Sequence, residues 1–139
     1  MPTLGEVTVR HGFEVLEHLE ADMEVPVLSG LQAQGDLFIV PLPIAGRPVQ
    51  YDAPVPVPAE GVAVIAAAGG GHEHRLFAGT PGTAVLGLAT SRGQDIGVLE
   101  CTEPAYMLHP EHGATGIAPG QYMLRRQREQ ADEERLVAD

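Results

Sequence analysis

"TAVLGLATSRGQDIGVLECTEPAYMLH", residues 83–109, holds three short runs, TAVLGLAT, DIGVLECT and AYMLH, parted by SRGQ and by Pro104. Short apolar runs broken by glycine and proline are the pattern of β-strands joined by turns. The same pattern extends outward on both sides. GDLFIVPL (35–42), GVAVIAAAGG (61–70) and QYMLRRQ (121–127) read as further strands. Between the first two, PLPIAGRPVQYDAPVPVPAEG (41–61) carries six prolines. Proline cannot donate to a strand ladder, so this stretch reads as an extended loop or a sheet edge. The expected fold class is mainly β: a small barrel or sandwich of six or seven strands.

The flanks differ from this centre. EVTV (6–9) alternates like the start of a strand. Residues 13–23 place Phe13, Leu16, Leu19 and Met23 near helical spacing, so a short N-terminal helix is expected there, stopped by Pro26. RRQREQADEERLVAD (125–139) is charged and free of glycine and proline. Arg125 with Glu129, and Arg128 with Asp132, stand at i,i+4 and support a charged C-terminal helix. The expected organisation is an N-terminal extension over 1–33, a β domain over 34–125, and a C-terminal helix or tail over 126–139.

The chain has 139 residues, which suits one hydrophobic core. Eight basic residues stand against nineteen acidic ones, a formal charge of −11. A chain this acidic lacks the basic surface that general nucleic-acid binding needs, and it is repelled by anionic lipid. It favours a cation or a basic surface as partner. No run approaches the roughly 20 apolar residues of a membrane span. The first residues lack the pattern of a signal peptide. Cys101, the single cysteine, reads as a small buried hydrophobe and fits a reducing compartment. A cytoplasmic protein is the expectation.

Chemistry concentrates in the histidines. GGGHEHRLFAGTPG (69–82) holds His72 and His74, and MLHPEHGATGIAPG (107–120) holds His109 and His112. On a strand, His72 and His74 share one face, and a turn over Pro110 can aim His109 and His112 at one point. Four imidazoles in two tight pairs point to a divalent metal ion, zinc first, with iron, nickel, copper or manganese as alternatives. Glu111 or Tyr106 would handle protons if the site is catalytic. Pro-Gly follows His74 and His112 at the same distance, as Pro81-Gly82 and Pro119-Gly120, which suggests two copies of one unit meeting at a shared centre. His11 and His18 have no partnered spacing and read as surface residues.

An HxH on a strand followed by a later histidine motif resembles the cupin superfamily of small β-barrels, which implies a barrel with nitrogen-rich metal ligation. Two departures stand out. Arg75, Leu76, Phe77 and Ala78 follow the HxH where cupins carry a glutamate, and Pro119-Gly120 comes after His112 rather than before it. The wording Gln34-Gly35-Asp36, Gly71-His72-Glu73-His74, His109-Pro110-Glu111-His112 and PGQYMLRRQRE is similar to a set of small uncharacterised bacterial proteins, over about residues 34–130. That resemblance implies a common fold and site and carries no activity.

Three functions remain open on these residues. One is a metal-dependent enzyme on a small molecule. The second is an accessory protein in which the metal pins two turns, with a protein partner or a second copy docking through the terminal segments. The third has no metal, and an arginine cluster binds an anion.

Overall fold

The computed structural model describes residues 2–11, 23–46, 50–65, 73–90 and 93–126. Eleven strands occupy these residues: β1 (Val27–Leu28), β2 (Gln32–Gln34), β3 (Leu37–Pro41), β4 (Val55–Pro56), β5 (Val62–Ile65), β6 (His74–Ala78), β7 (Ala84–Leu88), β8 (Asp95–Cys101), β9 (Ala105–His109), β10 (Gly113–Ile117) and β11 (Gly120–Arg126). They form a five-stranded sheet in the order β1-β10-β9-β6-β5 and a six-stranded sheet in the order β2-β3-β11-β8-β7-β4. Neither closes into a barrel. Of the two expected architectures, the open sandwich is the one formed, and the cupin-like barrel is not.

Alternation along the strands explains the two layers. Leu37 and Ile39, Ala84 and Leu86, Leu99 and Cys101, Ala105 and Met107, and Tyr122 and Leu124 all enter one buried cluster between the sheets. Of the residues between them, Phe38, Tyr106 and Met123 point outward and pack against helices, while Glu100 is exposed. α1 (Leu4–His11) lays Leu4 and Val7 on Phe77, Tyr106 and Leu108 of the five-stranded sheet. α2 (Leu42–Ala45) lays Leu42 on Val40, Val98 and Met123 of the other. Strand β9 is thus buried along its whole length.

The strands expected from GDLFIVPL, GVAVIAAAGG, TAVLGLAT, DIGVLECT, AYMLH and QYMLRRQ form as β3, β5, β7, β8, β9 and β11. The proline-rich segment does supply an edge, since among the described residues β4 pairs only with β7. Part of it instead makes α2, opened by Pro41 and Pro43, whose fixed φ suits a first turn. EVTV is a correction: it lies inside α1, not in a strand. Thr3 and Glu6 form a capping box, in which the Glu6 N–H donates to Thr3 Oγ1 at 3.1 Å and Glu6 Oε1 faces the Thr3 N–H at 3.4 Å. The helix expected over 13–23 and the charged C-terminal helix fall almost wholly outside the described residues. Arg126, placed at the start of that expected helix, closes β11. Cys101 is buried between the sheets, as expected.

Both Pro-Gly dipeptides mark the same event. Pro81-Gly82 carries the chain from β6 to β7, and Pro119-Gly120 from β10 to β11, each time from the five-stranded to the six-stranded sheet. Among the described residues no helix is long and apolar enough to cross a membrane.

Candidate cation site at one end of the sandwich

Residues on strands β2, β6, β9, β10 and β11 and on two turns meet at one end of the inter-sheet layer. β6 and β9 are antiparallel neighbours, with Arg75 opposite Leu108, so His74 and His109 come together at the next step. Each shares the inward face of its strand with a core residue, His74 with Leu76 and His109 with Met107. Across the layer, Gln34 pairs with Leu37 and shares its inward face. The two-residue turn Gly35-Asp36 joins β2 to β3, and the positive φ of 59° at Gly35 suits the first position of a II′ hairpin turn. The turn Pro110–His112 joins β9 to β10.

Four polar side chains are buried among the described residues, and three of them, Gln34, His74 and His109, lie here. Ring centroids are 4.4 Å apart for His74 and His109, 4.5 Å for His109 and His112, and 6.4 Å for His74 and His112. Three imidazoles around one ion at Zn–N distances of about 2.0–2.1 Å have centroids roughly 5 Å apart, so the rings stand at a usable spacing. His112 is exposed at the mouth. Its Nε2 lies 2.8 Å from where a Cβ on Gly35 would sit, so a side chain there would displace the His112 ring as well as strain the positive φ.

The hydrogen bonds settle which nitrogen does what. The Gln34 amide nitrogen donates to the Met107 carbonyl at 2.8 Å and to Thr115 Oγ1 at 3.0 Å. A carbonyl only accepts, so the amide cannot be turned round. Gln34 Oε1 therefore faces His74 Nδ1, at 2.9 Å, and Nδ1 must carry a proton. The other nitrogen of His74, Nε2, stands 3.0 Å from Asp36 Oδ1. In His109 the order is reversed: Nδ1 accepts the backbone N–H groups of Glu111 at 3.1 Å and His112 at 3.2 Å. A neutral His109 therefore carries its proton on Nε2.

Burial holds the His74 pKa below its ordinary value, against the opposing pull of Asp36. Burial pushes Asp36 upward, but its hydrogen bond to His74, the nearby charges and its own backbone N–H outweigh this and leave it below the usual carboxylate range. Arg126 Nε lies 3.6 Å from the second carboxylate oxygen.

Of the residues singled out in the sequence, the structure brings together His74, His109 and His112. Glu111 is exposed at the tip of the β9–β10 turn, beside them. Tyr106 is not part of the cluster. It points to the opposite face of β9, under α1, because it alternates with Met107. His72 lies outside the described residues. His11, expected at the surface, instead stacks on Phe77 at 4.5 Å, and its Nε2 is buried without a hydrogen-bond partner. Gln34 and Asp36, which the sequence offered only within a shared motif, prove to be the direct partners of His74. The signal that could have found them is the hairpin turn, which places both next to the inward face. Among the described residues, no group of three or more His, Cys, Asp or Glu side chains is poised to hold a metal ion in this conformation.

A family model described as a domain of unknown function, DUF8820, matches residues 33–127. The chain belongs to this family. The DUF8820 match takes in β3 to β11 and all of β2 but Gln32, hence Gln34, Asp36 and all three clustered histidines. No curated protein and no solved structure matches the chain.

Proposed function

We propose that this DUF8820 protein binds a divalent cation, zinc first, through His74 Nε2, the Asp36 carboxylate and His112. One observation carries the reading. Gln34 commits the single proton of neutral His74 to Nδ1, so Nε2 and Asp36 Oδ1 face each other as two acceptors at 3.0 Å. Two acceptors at that distance need a cation between or beside them. A small shift that lets Nε2 and the carboxylate both turn to one ion meets the need. The Gln34 bond to Nδ1–H is then the outer contact that orients a ligating imidazole.

Two histidines and a carboxylate are borderline-hard donors that suit zinc, and also iron(II) or manganese. Three protein ligands leave a position for water or a small ligand, and His112 at the mouth gives it access to solvent. This supports an exchangeable site acting on or holding a small molecule, rather than a closed structural one. Elemental analysis of protein purified without a histidine tag or a nickel column tests the reading, together with zinc titration by calorimetry. About one ion per chain, lost in His74→Ala and His112→Ala, is the expected result. Wild-type protein that neither carries nor takes up zinc, manganese or iron(II) refutes it.

A second reading has its own support. With no metal, a proton can bridge the same atoms as an imidazolium–carboxylate pair with the imidazole buried, and among the described residues no three His, Cys, Asp or Glu side chains are poised for an ion in this conformation. The DUF8820 domain would then be a non-catalytic accessory module, and the site a structural latch between β2 and β6. Chelator-insensitive melting of protein free of metal supports this second reading.

A further inference from the structure

A cavity of about 230 Å³ opens at the far end of β6 from His74, where the end of α1 meets the segment after β4 and the β6–β7 turn. Val57, Pro58, Ala59, Ala78 and Pro81 make its walls apolar, and a Cβ on Gly82 would meet nothing within 4 Å. α1 supplies the two polar side chains of the described lining, Arg10 and His11. Among the described residues, Arg75, Arg125 and Arg126 each stand beside a carboxylate, and Arg10 does not. His11 lays its ring on Phe77, and its Nε2 is buried with no hydrogen-bond partner. An unmatched buried polar atom is rare and costs stability.

We propose that this cavity binds a small monocarboxylate with one apolar ring, the ring between the apolar walls and the carboxylate held by Arg10 and by His11 Nε2–H. A dry apolar cavity of roughly 150 Å³ holds benzene, so the space here takes a six-membered ring and one short substituent. Charge decides the substituent. Burial, with Arg10 alongside, holds the His11 pKa below its ordinary value, so at neutral pH the Arg10 guanidinium is the one full charge of the described lining. A single planar cation with parallel N–H groups matches a single carboxylate. His11 Nε2 is closed to solvent as it stands. The ring reaches the carboxylate by turning about its terminal torsion, which is broad for imidazole. The formal charge of −11 repels anions from most of the surface, which leaves a recess carrying an unpaired arginine as the favourable place for one. The cavity shares no residue with the histidine cluster and does not depend on the cation reading.

Benzoate is the probe. Benzamide has the same shape without the charge, and acetate has the charge without the ring. The full chain, first freed of metal, is titrated with each and followed by calorimetry and nitrogen-15 spectra. Benzoate should bind with a Kd of about 1 mM or below, the range open to a ligand of about ten heavy atoms. It should shift the amide signals of Ala59, Gly79 and Gly82. It should bind at least about tenfold more tightly than benzamide, the effect of one hydrogen bond to a charged group. Acetate, with no ring to bury, should bind more weakly too. Arg10→Gln should bring benzoate down to the benzamide level; Arg10 is exposed, so the variant should fold. In the complex the His11 ring should carry its proton on Nε2. The proposal is overturned by no saturable benzoate binding, by benzamide or acetate binding as tightly as benzoate, or by Arg10→Gln binding like wild type. Shifts gathered away from the cavity, or a His11 ring protonated on Nδ1 in the complex, overturn it as well. Protein that takes no zinc defeats the cation reading alone and leaves every one of these outcomes to be read.

Discussion

The two ends of the sandwich share strands β6 and β9 but are built to opposite rules. At one end, Ala78, Ala84, Cys101, Ala105 and Ile117 close the layer with small or branched apolar groups, and Tyr122 spans it. The few polar atoms there find a single backbone acceptor: the Tyr122 hydroxyl donates to the Ala118 carbonyl at 2.8 Å, and Cys101 Sγ approaches the same oxygen at 3.5 Å. At the other end the inward faces of β6 and β9 carry His74 and His109, joined by Gln34 of β2. A buried polar side chain costs stability unless every donor and acceptor is matched, and an apolar filling would be simpler to stabilise. The closed end maximises packing. The polar end keeps a network whose last contact, between His74 Nε2 and Asp36 Oδ1, has no proton to share when His74 is neutral. The lesson is that stability and chemistry occupy different ends of one layer, so they can be perturbed separately.

The largest blow to that separation is Tyr122→Ala at the apolar end. Removing a buried aromatic from the core should destabilise by about 4 kcal/mol. Denaturant melts would report the loss, while zinc affinity of the folded fraction should stay as in wild type; an equal loss of zinc affinity would mean that the two ends are not independent. Gln34→Leu comes next. It strips partners from His74 Nδ1, the Met107 carbonyl and Thr115, at about 2–3 kcal/mol for the buried groups left unmatched. Unlike Tyr122→Ala, it should also weaken zinc binding and spread His74 over both tautomers. Unchanged binding would show that Gln34 does not orient the ring.

Much of this separation was legible in the chain. Alternation in β3, β7, β8, β9 and β11 marks which residues face inward, because one buried face with period two leaves a strong trace. Strands β2 and β10 were not legible. QAQ is polar and GATGI is small, and both are held by neighbours rather than by their own apolar pattern. The spacing drew attention to His74, His109 and His112, whose rings do meet, while His72 lies outside the described residues. What spacing cannot give is the partner across the layer. Gln34 and Asp36 lie 40 and 38 positions from His74, and only the pairing of the two sheets brings them to it. Tyr106 misled for a related reason. One step of register from Met107 puts it on the other face.

Smaller effects sharpen the contrast further. Thr3→Ala removes the capping box of α1 and should cost about 1 kcal/mol, read as a modest drop in melting temperature, with no change at the cation site. A loss of zinc binding in that variant would tie the outer helix to the site. The gentlest perturbation is acid. His74 titrates lower in the folded chain than its ordinary 6.5, so the unfolded chain binds the extra proton first. Its contribution is complete above that value and is lost as pH falls below it. Asp36, also lowered, adds a second loss as pH falls below its ordinary 3.8. Metal-free protein should therefore lose stability on acidification from pH 7, and His74→Phe should flatten the first part of that decline. Stability that instead rises toward pH 5.5 would favour the imidazolium–carboxylate latch.

Strand β1 adds its two residues alongside β10 in parallel, then the chain steps across to begin β2 in the opposite sheet. Because the DUF8820 match starts at residue 33, a fragment trimmed to that boundary keeps Gln34 and Asp36 but discards α1 and β1. Phe77, Tyr106 and Leu108 would then meet water as one greasy panel on a strand pair meant to be roofed. Such a fragment should clump at concentrations where the longer chain stays dispersed, which argues for expressing recombinant forms of this domain with their leading helix attached.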